Sequence, residues 1–355
     1  MNVLFIYIIP SGGMETLNRQ RCQALQSRGI NCHLLYLQYG TGVQNISNIP
    51  TFITNNDHEI KQMIDRGNYD AIIVSSDSTW LKKIRGFGYK GKLIFEVQGL
   101  GEETIASGIL QNIKGLVSSY ADGFLYPRTP HLMRAIEKFY PQIRKYSFHN
   151  CIDTNLFTYR PSSQGITSPI VGWVGRIEKN KNWNAFLDIG NLLVRRNPSI
   201  QLWIFQDDTL GNANEKVRFH QKVNLLKLKN NLKIFSNIRH DLMAEQYSII
   251  GDSGGFLCST SITEGFGYAV VEAMACRCPV ITTDSDGVKS FIIHNQTGKF
   301  FKDINDAVRQ AGELMNNPSL RELIRSNGQQ HIQTHFSPAI YAQNFLGMLN
   351  DLGVS

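Results

Sequence analysis

The chain has 355 residues, of which 42% are hydrophobic and 18% charged, which excludes a disordered chain and is long enough that two cores are expected. Its net charge of +7 is too mild to point to nucleic acid, and no window approaches the roughly 20 apolar residues of a membrane span. Residues 1–160 hold 17 Lys+Arg against 12 Asp+Glu, and residues 161–355 hold 19 against 17, so the first half alone leaves room for an anionic substrate or a membrane surface.

Val3 to Ile9 is apolar, but it is too short for a signal segment and lacks a basic leader. It runs straight into Pro10-Ser11-Gly12-Gly13 and reads as a buried first strand. A helix from about Glu15 to Arg28, ended by Gly29, leads to a second strand at Cys32 to Leu37. Further strands are expected at Ala71 to Val74, Lys92 to Val97 and Gly123 to Tyr126, with helical patterns between them. Alternation of this kind means a parallel sheet with helices on both faces, whose ligands sit at the C-terminal strand ends, where Gly12 and Gly13 must lie.

Around Tyr159 to Pro169 the texture changes to a polar, Pro- and Ser-rich linker. The pattern then restarts with strands at Val171 to Val174, Gln201 to Phe205, Lys233 to Phe235, Phe256 to Cys258 and Val280 to Thr282. Helices are expected at Trp183 to Val194, Glu215 to Leu228, Asp241 to Ile250 and Tyr268 to Ala275. Apolar residues at helical spacing continue from Asp303 to Met315, and two more helices finish the chain. The organisation is therefore residues 1–160 as one Rossmann-like domain, 161–336 as a second, and 337–355 as a terminal helix, about Ala339 to Leu352, that packs back on the first.

The densest chemistry lies in Glu264-Gly265-Phe266-Gly267-Tyr268-Ala269-Val270-Val271-Glu272. Gly265 and Gly267 free the backbone for close approach to a ligand, and the loop presents unpaired N–H groups at a helix N-terminus, which suits a phosphate. Glu272, about one turn inside the helix, is placed to accept from a vicinal diol such as a ribose, while Glu264 lies outside it, free to meet another part of the same ligand. Taken alone, the pair also reads as a dipole-favouring residue and a solvated surface charge. Gly175-Arg176-Ile177-Glu178-Lys179-Asn180-Lys181 follows a strand and precedes a helix, so Arg176 and Lys181 can clamp a diphosphate and stabilise charge that grows as it leaves. Alternatively this is a solvated basic turn.

In order along the chain, Gly12-Gly13, the segment His149 to Phe157, Gly175-Arg176 with Lys181, and Glu264 with Glu272 resemble the family-4 glycosyltransferases of GT-B architecture. The resemblance spans nearly the whole chain. It implies an α/β GT-B fold of two Rossmann-like, doubly wound parallel-sheet domains facing a central cleft, the first on the acceptor side and the second on the donor side. It further implies retaining transfer of a sugar from a nucleoside-diphosphate sugar to an acceptor hydroxyl, with no cofactor and no obligatory active-site metal. By position it assigns Arg176 and Lys181 to the diphosphate, Glu272 to the ribose, and Glu264 with the amides of Gly265, Phe266 and Gly267 to the donor sugar. Gly12 and Gly13 would close on the phosphates and the transferring sugar, and Phe235 to Arg239, with Ile238, is left for the base.

Several positions depart from the family. Gln98 stands where a histidine is common and can donate to a sugar hydroxyl without titrating. Gln206-Asp207-Asp208-Thr209 replaces a Gly-x-Gly, Ser290 a glutamate, and Cys151 a glycine. Two other readings therefore stay open, a sugar-nucleotide 2-epimerase of the same fold and a degenerate partner subunit that only binds.

The six cysteines, Cys22, Cys32, Cys151, Cys258, Cys276 and Cys278, are scattered, and Cys276-Arg277-Cys278 has neither zinc-finger nor redox spacing, which fits a reducing cytoplasm. His331 and His335 have the spacing of a zinc pair but lack a third ligand. Trp80 to Lys92 interleaves aromatic and basic residues, either as an ordinary solvated helix end or as a peripheral dock on the inner membrane face or a polyanionic acceptor.

Overall fold

In the computed structural model of the protein, residues 1–161 and 168–354 are described, Asp286 by its backbone only. The central part of the expected linker, 162–167, lies outside the described residues. The chain divides into Met1–Ile152 with Phe336–Ser355, and Asp153–His335.

In the first domain β1 (Asn2–Tyr7), β2 (Asn31–Tyr36), β3 (Thr51–Ile53), β4 (Ala71–Ser75), β5 (Lys92–Glu96), β6 (Gly123–Tyr126) and β7 (Arg144–Ser147) form a sheet in the order β3-β2-β1-β4-β5-β6-β7. Every pairing in it is parallel. The helices α1 (Gly12–Gln26), α2 (Asp57–Gly67), α3 (Thr79–Gly86), α4 (Glu103–Tyr120) and α5 (Pro130–Phe139) connect the strands. Continuous apolar runs such as Ala-Ile-Ile-Val in β4 are buried along their whole length, as a strand covered on both faces requires. Phe124 anchors the core, edge-on to Phe95, Tyr126 and Tyr140 at 5.0–5.8 Å, contacts worth about 0.5–1.5 kcal/mol each beyond area burial. The closing helix of the chain, Pro338–Asp351, belongs to this domain and packs on α1, with Phe345 5.7 Å from Phe5.

The second domain repeats the plan with β8 (Ile170–Val174), β9 (Gln201–Gln206), β10 (Leu232–Ser236), β11 (Phe256–Ser259), β12 (Val280–Thr283) and β13 (Lys299–Phe301), all parallel, in the order β10-β9-β8-β11-β12-β13. Its helices are α6 (Trp183–Arg196), α7 (Ala213–Leu225), α8 (Met243–Asp252), α9 (Tyr268–Ala275), α10 (Ile304–Asn316) and α11 (Pro318–His335). β3, β7 and β13 are not among the strands expected from the sequence. All three are edge strands of three or four residues, and edges carry polar or short segments that lack an apolar signature.

In each sheet the strand order reverses once, between β1 and β4 in the first and between β8 and β11 in the second. Loops leaving neighbouring strands at such a point diverge to opposite faces and open a crevice at the C-terminal edge. The loops after β8 and β11 hold Arg176, Lys181 and Glu264.

Candidate functional site

The site of the second domain is built by fastening those two loops together. After β8, Gly175 turns tightly, and a Cβ there would meet the Trp173 ring at 2.9 Å and Lys181 Cγ at 3.1 Å. Residues Lys179–Lys181 form a 3-10 turn, and Asn182, at φ 51°, caps α6 by accepting from the Ala185 amide at 3.3 Å. Asn180 joins this loop to the next. Its Oδ1 accepts from the backbone N–H and hydroxyl of Thr263 at 3.2 and 2.9 Å, its Nδ2 donates to the Thr263 carbonyl at 3.1 Å, and its carbonyl accepts from Ile262 N–H at 2.8 Å. Thr260 adds a second fastening, accepting from the indole of buried Trp173 at 3.0 Å while its hydroxyl faces the carbonyls of Lys181 and Asn182 at 2.9 and 3.0 Å.

Within this frame Lys181 Nζ lies 2.5 Å from Glu264 Oε1, and Ser261 Oγ donates to the same oxygen at 2.6 Å. Glu264 Oε2 thus keeps its lone pairs for a ligand, and the ammonium keeps two of its three protons. Two residues that the sequence reading assigns to separate parts of a ligand are here bonded to each other. Arg176, with its side chain 46% exposed, leans on Glu178 at 3.1 Å.

The glycine loop ends in Gly267, whose φ of +85° opens α9, so the left-handed requirement expected of this loop falls on that residue. Phe266 turns its ring into the core, edge-on to Tyr268 and Phe291. Only its backbone is therefore on offer to a ligand. Gly287 donates its N–H to the Glu264 carbonyl at 3.1 Å, and a Cβ there would stand 2.4 Å from that oxygen. Gly287→Ala is expected to push the loop away and to cost about 1–3 kcal/mol. Calorimetric unfolding checks this, and an unchanged Tm would disprove the close packing.

Glu272 is not a solvated charge. It is 3% exposed, and its two oxygens accept from His240 Nε2 at 2.8 Å and from the Tyr247 hydroxyl at 2.9 Å. A carboxylate only accepts, so the imidazole carries its proton on Nε2. Burial, and then the charge of Glu272, push the Tyr247 hydroxyl well above the ordinary tyrosine range and keep it a donor. Ile238 is half-buried in the turn between β10 and His240. The Asp207-Asp208 stretch that replaces the expected glycines closes its own turn, with Thr209 N–H and hydroxyl on Asp207 Oδ1 at 2.9 and 2.5 Å, and Asp208 Oδ1 accepts from Asn237 at 2.9 Å.

In the first domain Gly12 has φ +57° and opens α1, with open space where a Cβ would be. Gln98 is held at both ends of its amide, with one N–H left over. Its amide nitrogen donates to Glu96 Oε1 at 2.8 Å, and its oxygen accepts from Asn150 at 2.7 Å. Glu96 in turn is fully buried against Arg21 at 2.7 Å and accepts from Ser75 at 2.5 Å.

The Trp80 to Lys92 segment does not present an aromatic face. Trp80 is buried under Lys83, and Lys83 pairs with Asp57. Arg85 reaches inward to Asp122 and to the carbonyls of Tyr89 and Gly91, and Tyr89 donates to the Tyr69 carbonyl. These residues bind their own domain because the short helix α3 and its turn must be stitched to β5. The His331 and His335 rings lie 4.7 Å apart, and burial lowers the His331 pKa below its ordinary value. Among the described residues no helix is long and apolar enough to cross a membrane, and no cluster of three or more His, Cys, Asp or Glu is placed to hold a metal.

Residues 160–331 match the family model described as Glycosyl transferases group 1. Among curated proteins, the capsular polysaccharide biosynthesis glycosyltransferase CapM of Staphylococcus aureus is 26% identical over 183 residues, covering 51% of this chain and 46% of CapM. The trehalose synthase of Thermococcus litoralis is 23% identical over 182 residues, covering 51% of this chain and 44% of that protein. The chain thus spans somewhat less than half the length of these curated relatives. Among solved structures, Anabaena HepE in complex with UDP and glucose aligns over 99% of both chains with a TM-score of 0.83 at 18% identity. The fold is GT-B. Sucrose-phosphate synthase from Thermosynechococcus elongatus aligns over 99% of both chains at a TM-score of 0.77 and 17% identity. In GT-B terms the family match covers the second domain almost alone, the half that carries Arg176, Lys181, Glu264 and Glu272.

Proposed function

We propose that the chain is a retaining glycosyltransferase of family 4 that moves a sugar from a nucleoside-diphosphate sugar to an acceptor hydroxyl, its second domain holding the donor. One observation carries the reading. Two cations and a carboxylate stand on the two loops that flank the strand-order reversal of a parallel sheet, and a second, buried carboxylate lies in the helix that follows. This is the place and the charge pattern that a nucleotide diphosphate needs.

In this reading Arg176 and the free protons of Lys181 meet the diphosphate, and their charge grows in value as the leaving group forms. Glu264 Oε2 accepts from a donor-sugar hydroxyl, and Glu272 from the ribose. Front-face attack by the acceptor hydroxyl then keeps the anomeric configuration. The first domain takes the acceptor. The chemistry that binds UDP in HepE is the precedent for the donor.

UDP, GDP or ADP, at about 100 times its Kd, is expected to stabilise the chain by about 2.7 kcal/mol, visible as a rise in Tm. With the matching α-linked sugar nucleotide and a hydroxyl acceptor, the first product seen by proton NMR should carry an α-anomeric signal. A β-signal overturns retention, and no stabilisation by any of the three diphosphates overturns the donor site.

A further inference from the structure

The segment Asn150 to Phe157 has no part in the donor grip described above, yet its last residue lies against it. Phe157 is fully buried, with its ring 4.8 Å from His240 and 6.5 Å from Tyr247. Asp153 holds the turn that delivers it, accepting at Oδ1 from the amides of Asn155 and Leu156 at 3.0 and 3.1 Å and at its carbonyl from Phe157 N–H at 2.8 Å. The two residues that Phe157 braces are the ones that donate to opposite oxygens of Glu272.

A carboxylate offers about four lone-pair sites, two on each oxygen. His240 takes one on Oε1 and Tyr247 one on Oε2, which leaves one acceptor on each oxygen, a match for the two hydroxyls of a vicinal diol. With either donor missing, the carboxylate would be free to rotate. His240 also sits two residues after Ile238, so the end of the turn from Phe235 to Arg239 is tied to the same carboxylate.

We infer that His240 and Tyr247, braced by Phe157, are positioning residues that fix Glu272 so that nucleotide binding depends on an intact ribose 2′,3′-diol. The inference rests on the donor reading proposed above. A purely structural role would satisfy the buried carboxylate but would not distinguish a ribonucleotide from its dideoxy analogue.

The test is calorimetric titration of the full chain with UDP, GDP and ADP, with the 2′,3′-dideoxy form of whichever binds, and with inorganic pyrophosphate. The wild-type chain is expected to prefer the ribonucleotide at least tenfold. His240→Ala and Tyr247→Phe should each weaken it on the order of tenfold, with dideoxynucleotide and pyrophosphate affinities held within about twofold. His240→Gln, whose amide can donate in place of Nε2, should recover most of the loss, and Phe157→Leu should show a smaller version of it. Equal losses for both nucleotide forms, or full ribose preference in the variants, overturns the inference while leaving the donor site standing. If the buried variants fail to fold, the wild-type ratio still decides, because a value near one overturns it. Binding of no diphosphate by the wild-type chain brings down the donor reading and this inference together.

Discussion

Lys181→Met is expected to lower turnover by about 10²- to 10³-fold, the range found when one preorganised charge stabiliser is removed from a transition state. Stability should barely move. The side chains of Lys181 and Glu264 are 25% and 14% exposed, and a pair with that much solvent contact contributes about 1 kcal/mol or less. Glu264→Gln should give a comparable loss of turnover, since the amide keeps the shape but presents one acceptor where the carboxylate presents two. The double variant separates pairing from catalysis. If the two residues merely held each other, removing both would restore function; in the donor reading turnover stays as low as in the worse single variant. Steady-state kinetics with the sugar nucleotide that stabilises the wild-type chain supply the readout. Turnover within tenfold of wild type in both single variants would show that the pair is only a loop fastening.

That pairing also marks where sequence reading runs out. Glu264 and Glu272 are eight positions apart, with a glycine loop between them, and their importance is legible because turn and helix chemistry act over such short distances. The partners that decide their states come from elsewhere. Lys181 and Asn180 lie 83 residues from the atoms they hold, and His240 and Tyr247 lie 32 and 25 residues from Glu272. No local periodicity encodes those distances; the order β9-β8-β11 creates them. Alternation of strand and helix is written in the sequence as a change of hydrophobic period, so the two parallel-sheet domains could be read. Edge strands such as Arg144–Ser147 leave no such trace. The aromatic residues of Trp80 to Lys92 mislead for a related reason, because composition does not say which way a ring turns. Phe266 teaches the same point inside the motif itself.

Glu96→Ala is expected to destabilise the first domain by about 3–5 kcal/mol, the cost of leaving a buried charge uncompensated. Arg21 and Glu96 are both fully buried and 2.7 Å apart, with the guanidinium 3.9 Å above the Phe5 ring and bonded to Asn18 at 2.5 Å. Burial alone would favour loss of the Arg21 proton, but Glu96 and the neighbouring Tyr341 more than offset it, and the guanidinium is held above even its ordinary range. Arg21→Met with Glu96→Leu should be far milder than either single change, since a hydrophobic pair of similar volume removes both desolvation costs. Urea unfolding followed by fluorescence compares the wild-type chain with each of these variants. The functional consequence is separable, because Glu96 also receives the amide of Gln98. The double replacement should therefore fold and still lose the fixed orientation of Gln98, with turnover falling while stability is recovered. Equal stability of Glu96→Ala and wild type would mean that water enters to solvate Arg21, and the buried pair would then have no claim on the architecture of this strand end.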